Sequence, residues 1–222
     1  MKNTKLANKL NKIREPKRAR SRSRDIFASI AIFAIGILLG IFAKYIDGME
    51  FETFNWWQQI AARLDLGNLL TETGIWMVMA LIIATLSRSP GKAAINVFLF
   101  FAGMCVSYHI CSVIFKGFDP GNYMLIWYGI TLVSPLLGIF CWYARSEAPA
   151  AIILDALIFM VLSVYCFSVG QFYFYLLGAT HTVIFIAAVA ALYKSPKQTA
   201  IAVPAGIVLS VLFGNFLHMI PI

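Results

Sequence analysis

The sequence predicts an all-α polytopic membrane helix bundle. It has seven transmembrane helices, one leading helix plus three helical hairpins, with the N-terminus cytoplasmic and the C-terminus outside. Three observations predict this. Of 222 residues, 60% are hydrophobic and only 13% are charged, against roughly 45–50% and 25% in a soluble domain. The apolar residues gather into seven runs, each near the ~20 residues a spanning helix needs. Lys and Arg collect before the first run and in alternate gaps after it, the asymmetry that orients a chain in a bilayer.

Residues 1–25 form a basic tail. It holds Lys2, Lys5, Lys9, Lys12, Arg14, Lys17, Arg18, Arg20, Arg22 and Arg24, and its one acid before Asp25 is Glu15. Because the charge lies directly beside a span, it reads as a topogenic cytoplasmic segment. Such a segment attracts anionic lipid headgroups at about 1 kcal/mol per basic residue. Nucleic acid is not an expected partner; a membrane protein partner or a second copy of the chain remains open. The first apolar run is longer than a signal-peptide core, and no small-x-small cleavage site follows it.

Residues 26–222 read as a single transmembrane domain. Its spans are Ile26–Ile46, Leu69–Ser87, Ala93–Phe115, Tyr123–Ala144, Ala148–Val169, Phe174–Tyr193 and Ala200–Ile220. The sixth has the weakest boundary, since 170–175 is polar and aromatic. With the tail inside, 15 of the 18 Lys and Arg fall on the inner side and three (Lys44, Arg63, Lys116) on the outer. In the outer loop, Phe51, Phe54, Trp57, Ile60, Ala61 and Leu64 recur at steps of three and four. That spacing predicts an amphipathic helix over about 50–66, with Trp56 and Trp57 as interfacial anchors or a lid. Cys105, Cys111, Cys141 and Cys166 lie inside spans without a Cys-x-x-Cys pair, so they read as small apolar side chains.

The three inner turns resemble one another. They run Arg88-Ser89-Pro90-Gly91-Lys92-Ala93-Ala94, Arg145-Ser146-Glu147-Ala148-Pro149-Ala150-Ala151 and Lys194-Ser195-Pro196-Lys197-Gln198-Thr199-Ala200. Serine suits an N-cap and proline the first helical turn. The pattern fits either a repeated hairpin or the common demands of tight turns. Gly36-x-x-x-Gly40 in span one and the stripe Ala202, Gly206, Ser210, Gly214 in span seven predict close helix packing. Pro135 and Pro204 predict bends.

The segments 87–101, 134–145 and 193–198 carry a resemblance. Between 25 and 200 the chain is similar to an uncharacterised family of small multi-pass membrane proteins from Gram-positive bacteria. That resemblance implies a bacterial plasma membrane and brings no activity, cofactor or site residue.

Polar side chains within hydrocarbon tend to face the bundle interior or a water-filled cavity. At 1.5 Å per residue, His109 and His218 lie about 24 and 27 Å from the inner edge, and His181 about 10 Å below the outer edge. With Glu72, Gln171 and Asn215 they outline a candidate outward-facing polar pocket for a cation, a polar metabolite or protons. Each could equally be an interfacial residue bonded to backbone or headgroups. Asn96 and Asp155 form a candidate polar pair deeper inside; Asp155 could also be protonated or functional. No cofactor and no metal are expected, and no protease or hydrolase motif is present in the sequence. The favoured function is a small permease or the substrate-binding membrane subunit of a transporter. The alternative is a non-transporting assembly, immunity or signalling subunit, and an enzyme is the least favoured class.

Overall fold

Long apolar runs become helices because hydrocarbon leaves backbone N–H and C=O groups no partners but one another. A computed structural model describes residues 13–16, 21–47, 55–63, 69–70, 72–117, 120–170 and 173–217, without the side chains at 57, 61–63, 116 and 215–217. Within these residues the chain is nearly all helical: α1 (Arg22–Ile46), α2 (Trp56–Arg63), α3 (Thr73–Leu86), α4 (Pro90–Lys116), α5 (Gly121–Ala144), α6 (Pro149–Cys166), α7 (Ala179–Leu192) and α8 (Pro196–Leu217). Two short strands, β1 (Phe167–Val169) and β2 (Phe174–Leu176), separate α6 from α7. Five helices, α1, α4, α5, α6 and α8, are long and apolar enough to cross a bilayer, which makes this a membrane protein by length and composition.

The second and sixth expected spans differ from their sequence boundaries. α3 and α7 have 14 residues each, about 21 Å against a hydrocarbon core of about 30 Å. For α7 the reason is local. Phe167-Ser168-Val169 and Phe174-Tyr175-Leu176 are aromatic and β-branched, so they pair as an antiparallel hairpin instead of extending their helices. Gly170 closes the turn, its N–H donating to the Tyr173 carbonyl at 2.9 Å. The fifth span accordingly stops at Cys166, not Val169.

Short turns join α3 to α4, α5 to α6 and α7 to α8; α4 packs on α3 and α6 on α5, whereas α8 packs on α6 and not on α7, so the third expected hairpin is a connection without a packed pair. The Ser89 and Ser195 hydroxyls accept from the Lys92 and Gln198 N–H groups, both at 3.3 Å, with Pro90 and Pro196 opening α4 and α8. The middle turn departs from the pattern. Glu147 and Ala148 separate Ser146 from Pro149, Ala148 takes the cap position, and Ser146 is buried.

α1 lies against α4 through glycine. A Cβ on Gly36 would meet the Phe100 carbonyl, one on Gly40 would meet the Met104 carbonyl and Ser107 Oγ, and one on Gly103 would meet the Phe33 carbonyl at 2.6 Å. α8 lies against α6 likewise: a Cβ on Gly206 would reach the Ala156 carbonyl at 2.9 Å. α3 stands between the two halves. Its Trp76 and Ala84 belong to a core with Phe100, Met104 and Trp142, and its Val78 and Leu81 to a second core with Phe159, Phe185 and Ala188. The turns carrying Ser89, Ser146 and Ser195 define one end of the bundle, the turn end; the β-hairpin marks the other, the β end.

The helix expected over 50–66 is present as α2, with Trp56 75% exposed; positions 50–54 and 64–66 and the Trp57 side chain lie outside the described residues.

Candidate functional site

Both short helices begin at the β end. Glu72 occupies the N-cap position of α3 with extended backbone and no side-chain bond to its own helix, which leaves the carboxylate free to reach outward. His181 is the third residue of α7, and Gly178 in extended conformation precedes that helix. The Thr182 hydroxyl donates to the Gly178 carbonyl at 2.9 Å, holding the first turn in place. The two helix starts then meet: His181 Nε2 and Glu72 Oε2 are 2.7 Å apart, with the imidazole mostly covered and the carboxylate partly open. Such a dyad can hold a proton or present one carboxylate oxygen to a cation. Two ligands fall short of a metal site, and no group of three or more metal-binding side chains occurs among the described residues.

The other expected pocket residues are distributed differently. His109 is half-buried on α4 and bonds through Nδ1 to Tyr128 Oη of α5 at 2.6 Å. Gln171, His218 and the Asn215 side chain lie outside the described residues. Asn96 and Asp155, expected to pair, have other partners. Asn96 Oδ1 accepts from the Ser29 hydroxyl of α1 at 2.8 Å, and its Nδ2 donates to Ser87 Oγ at 3.1 Å. Asp155 Oδ2 accepts from Gln198 Nε2 of α8 at 2.6 Å. Helix rotation explains the correction: α4 turns Asn96 towards α1, while α6 turns Asp155 towards α8.

Two polar clusters were missed from sequence. At the β end of α1, Lys44 Nζ lies 2.8 Å from Asp47 Oδ2, which also accepts from Tyr108 Oη at 3.2 Å. The ammonium sits 5.0 Å from the Tyr108 ring centre. The i,i+3 spacing of Lys44 and Asp47 was the available signal. At the turn end, Arg14 leaves the tail to bond the Thr85 carbonyl at 2.9 Å and the Trp142 carbonyl, with its guanidinium 4.3 Å from the Trp142 ring centre. Trp142 Nε1 in turn donates to the Ser87 carbonyl at 2.9 Å. Burial, and secondarily the charge of Arg145, pulls the Arg14 guanidinium down to about 10, so it stays charged at neutral pH. Among ten tail cations nothing local distinguishes Arg14.

A cavity of about 280 Å³ opens between α3, α4, α5 and α6, lined by Leu81, Val97, Phe101, Cys141, Leu157 and other apolar side chains. A smaller one of about 20 Å³, near Trp76 and Tyr108, has room for about one water. Of the expected pocket residues whose side chains are described, Glu72, His109 and His181, none lines either cavity. No family model, no curated protein and no solved structure matches the chain.

Proposed function

We propose that this chain is a small permease, or the substrate-binding membrane subunit of a transporter, in a bacterial plasma membrane, with its site at the Glu72–His181 dyad. In this reading all seven apolar segments span the bilayer. The turn end faces the cytoplasm and the β end faces outside, because Lys and Arg concentrate at the turn end.

One observation carries the proposal. The two 14-residue helices, which lead into the first and third turns of the turn end, place their N-termini against each other through a carboxylate and an imidazole. Short hydrophobic segments in corresponding repeats are the pattern by which transporters mark binding sites. Helices about 9 Å shorter than the hydrocarbon core leave non-helical backbone at membrane depth. Such backbone is tolerated where protein buries it or where it lines water. Here the β-hairpin satisfies its own hydrogen bonds. The dyad suits a cation, a proton or a polar metabolite bearing a donor.

The test is access and binding together. Glu72→Cys and His181→Cys proteins in intact cells are expected to react with a membrane-impermeant maleimide added outside. Purified protein in mild detergent is expected to show thermal stabilisation by at least one member of a cation and polar-metabolite panel, lost in both Glu72→Gln and His181→Ala. Labelling of neither cysteine, or labelling only after permeabilisation, overturns the proposal. The alternative, a non-transporting assembly, immunity or signalling subunit, is favoured by the apolar lining of the larger cavity. It predicts an empty ligand panel.

A further inference from the structure

Among the described residues, Asp155 is the most deeply enclosed charged-type side chain of the helices, 2% exposed. It sits six residues into α6, about 9 Å from the helix start. An ionised carboxylate offers about four lone-pair sites. Here Oδ2 takes one bond from the neutral Gln198 amide, and Oδ1 has no hydrogen-bond partner among the described residues.

Among the described residues, the surroundings supply no countercharge. α5 brings the Cys141 thiol within electrostatic range. α8 brings Gln198, which is itself buried. Arg145, Lys194 and Lys197 stand at the same end, and none forms an ion pair with Asp155; both lysines are exposed. α3 and β1 contain no titratable residue, and the His181 of α7 lies at the β end. A lone anion with one amide donor in hydrocarbon costs several kcal/mol, whereas the neutral acid costs far less. A bound metal cation would need more oxygen ligands than this pair provides.

We propose that Asp155 is a proton-binding site, a carboxylic acid held by Gln198 at the α6–α8 contact, which gains and loses a proton while the helices stay packed. Gln198 acts as its positioning residue: the amide donor steadies the anion whenever the proton leaves. The site stands independently of the Glu72–His181 reading, since a non-transporting protein could carry it equally well. The large apolar cavity lies beside the site without including Asp155: Cys141, Leu154 and Ile158 line it. Leu154 and Ile158 are neighbours of Asp155 on α6.

The test uses full-length protein in detergent, with isotope-labelled aspartate and infrared spectroscopy across a pH series. At neutral pH, the carbonyl stretch of a protonated aspartic acid is expected, moving with the isotope and absent in Asp155→Asn. Raising the pH should convert it to carboxylate bands. Gln198→Leu, which keeps the acid and removes the donor, should shift that conversion to higher pH. A parallel reaction with an apolar carbodiimide should label the Asp155 peptide at neutral pH and less as pH rises. In that reaction the acid proton goes to a carbodiimide nitrogen while the carboxyl oxygen bonds the central carbon. A carboxylate at neutral pH in the wild-type spectrum overturns the proposal, and so does an acid band unmoved by Gln198→Leu. Cation-dependent loss of the acid band at constant pH would also overturn it, identifying a cation site instead.

Discussion

Replacing Gly40 by alanine adds one methyl group at a close approach of α1 to α4. The new Cβ would meet Ser107 Oγ, which can rotate, and the Met104 carbonyl, which is backbone and cannot. α1 must therefore shift away from α4, loosening the Gly36 and Gly103 contacts on the same face. Overpacking of this kind costs about 1–3 kcal/mol. Gly129 in α5 is the matched control: a Cβ there meets nothing within 4 Å. With no clash, alanine gains the helix propensity that glycine lacks, about 0.5–1 kcal/mol. One chemical change should thus have opposite signs at two sites. For a chain of this size the midpoint should fall by about 2–12 °C for Gly40→Ala and rise by about 1–4 °C for Gly129→Ala. Monodisperse protein remaining after heating, measured by fluorescence-detected size exclusion in one mild detergent, reads both. Equal midpoints for the two variants would refute the close α1–α4 contact.

Two further outcomes are expected. Arg14→Ala loses two carbonyl contacts and a ring contact. After discounting for solvent screening of a half-exposed cation, this should cost about 1–2 kcal/mol; the tail should also be cut sooner in limited proteolysis, with Arg14→Lys intermediate because an ammonium lacks the planar fork. Asn96→Ala should cost about 1–3 kcal/mol by removing two buried hydrogen bonds, while the Ser29 and Ser87 hydroxyls keep their bonds to the Asp25 and Ile83 carbonyls. In a double-mutant cycle, the added cost of Ser29→Ala should be smaller in the Asn96→Ala background than in wild type.

The spans were legible where hydrophobicity alone decides. α1, α4, α5 and α8 follow their apolar runs, because in hydrocarbon an apolar segment of that length has only the helix to satisfy its backbone. The two short helices were less legible. Phe174-Tyr175-Leu176 is as apolar as a helical turn, and hydropathy does not distinguish it from a strand; aromatic and β-branched composition beside Gly170 was the usable signal. Ser89 and Ser195 cap as their position before proline implies, whereas the two residues inserted after Ser146 move the cap to Ala148.

The polar partnerships were less legible still. Depth counted in residues placed Glu72 and His181 near one another, and that estimate needs only the rise per residue. Which side chain meets which depends on helix rotation and neighbour choice. Asn96 and Asp155 were matched by depth, yet they face different helices, and their partners Ser29 and Gln198 lie 67 and 43 residues away in sequence. Arg14 shows the limit most plainly: the sequence places ten cations beside a membrane, and only the folded bundle has two open carbonyls and an indole face that one of them can reach.

By itself, then, the sequence determined a nearly all-helical membrane protein, since composition and run length control partition between water and lipid residue by residue. The tertiary structure decided that two helices stop short, that their starts join through Glu72 and His181, and that Asp155 rests on Gln198 and not on Asn96. Those outcomes depend on the angle at which each helix turns its face to a neighbour, which is set by packing across the whole bundle.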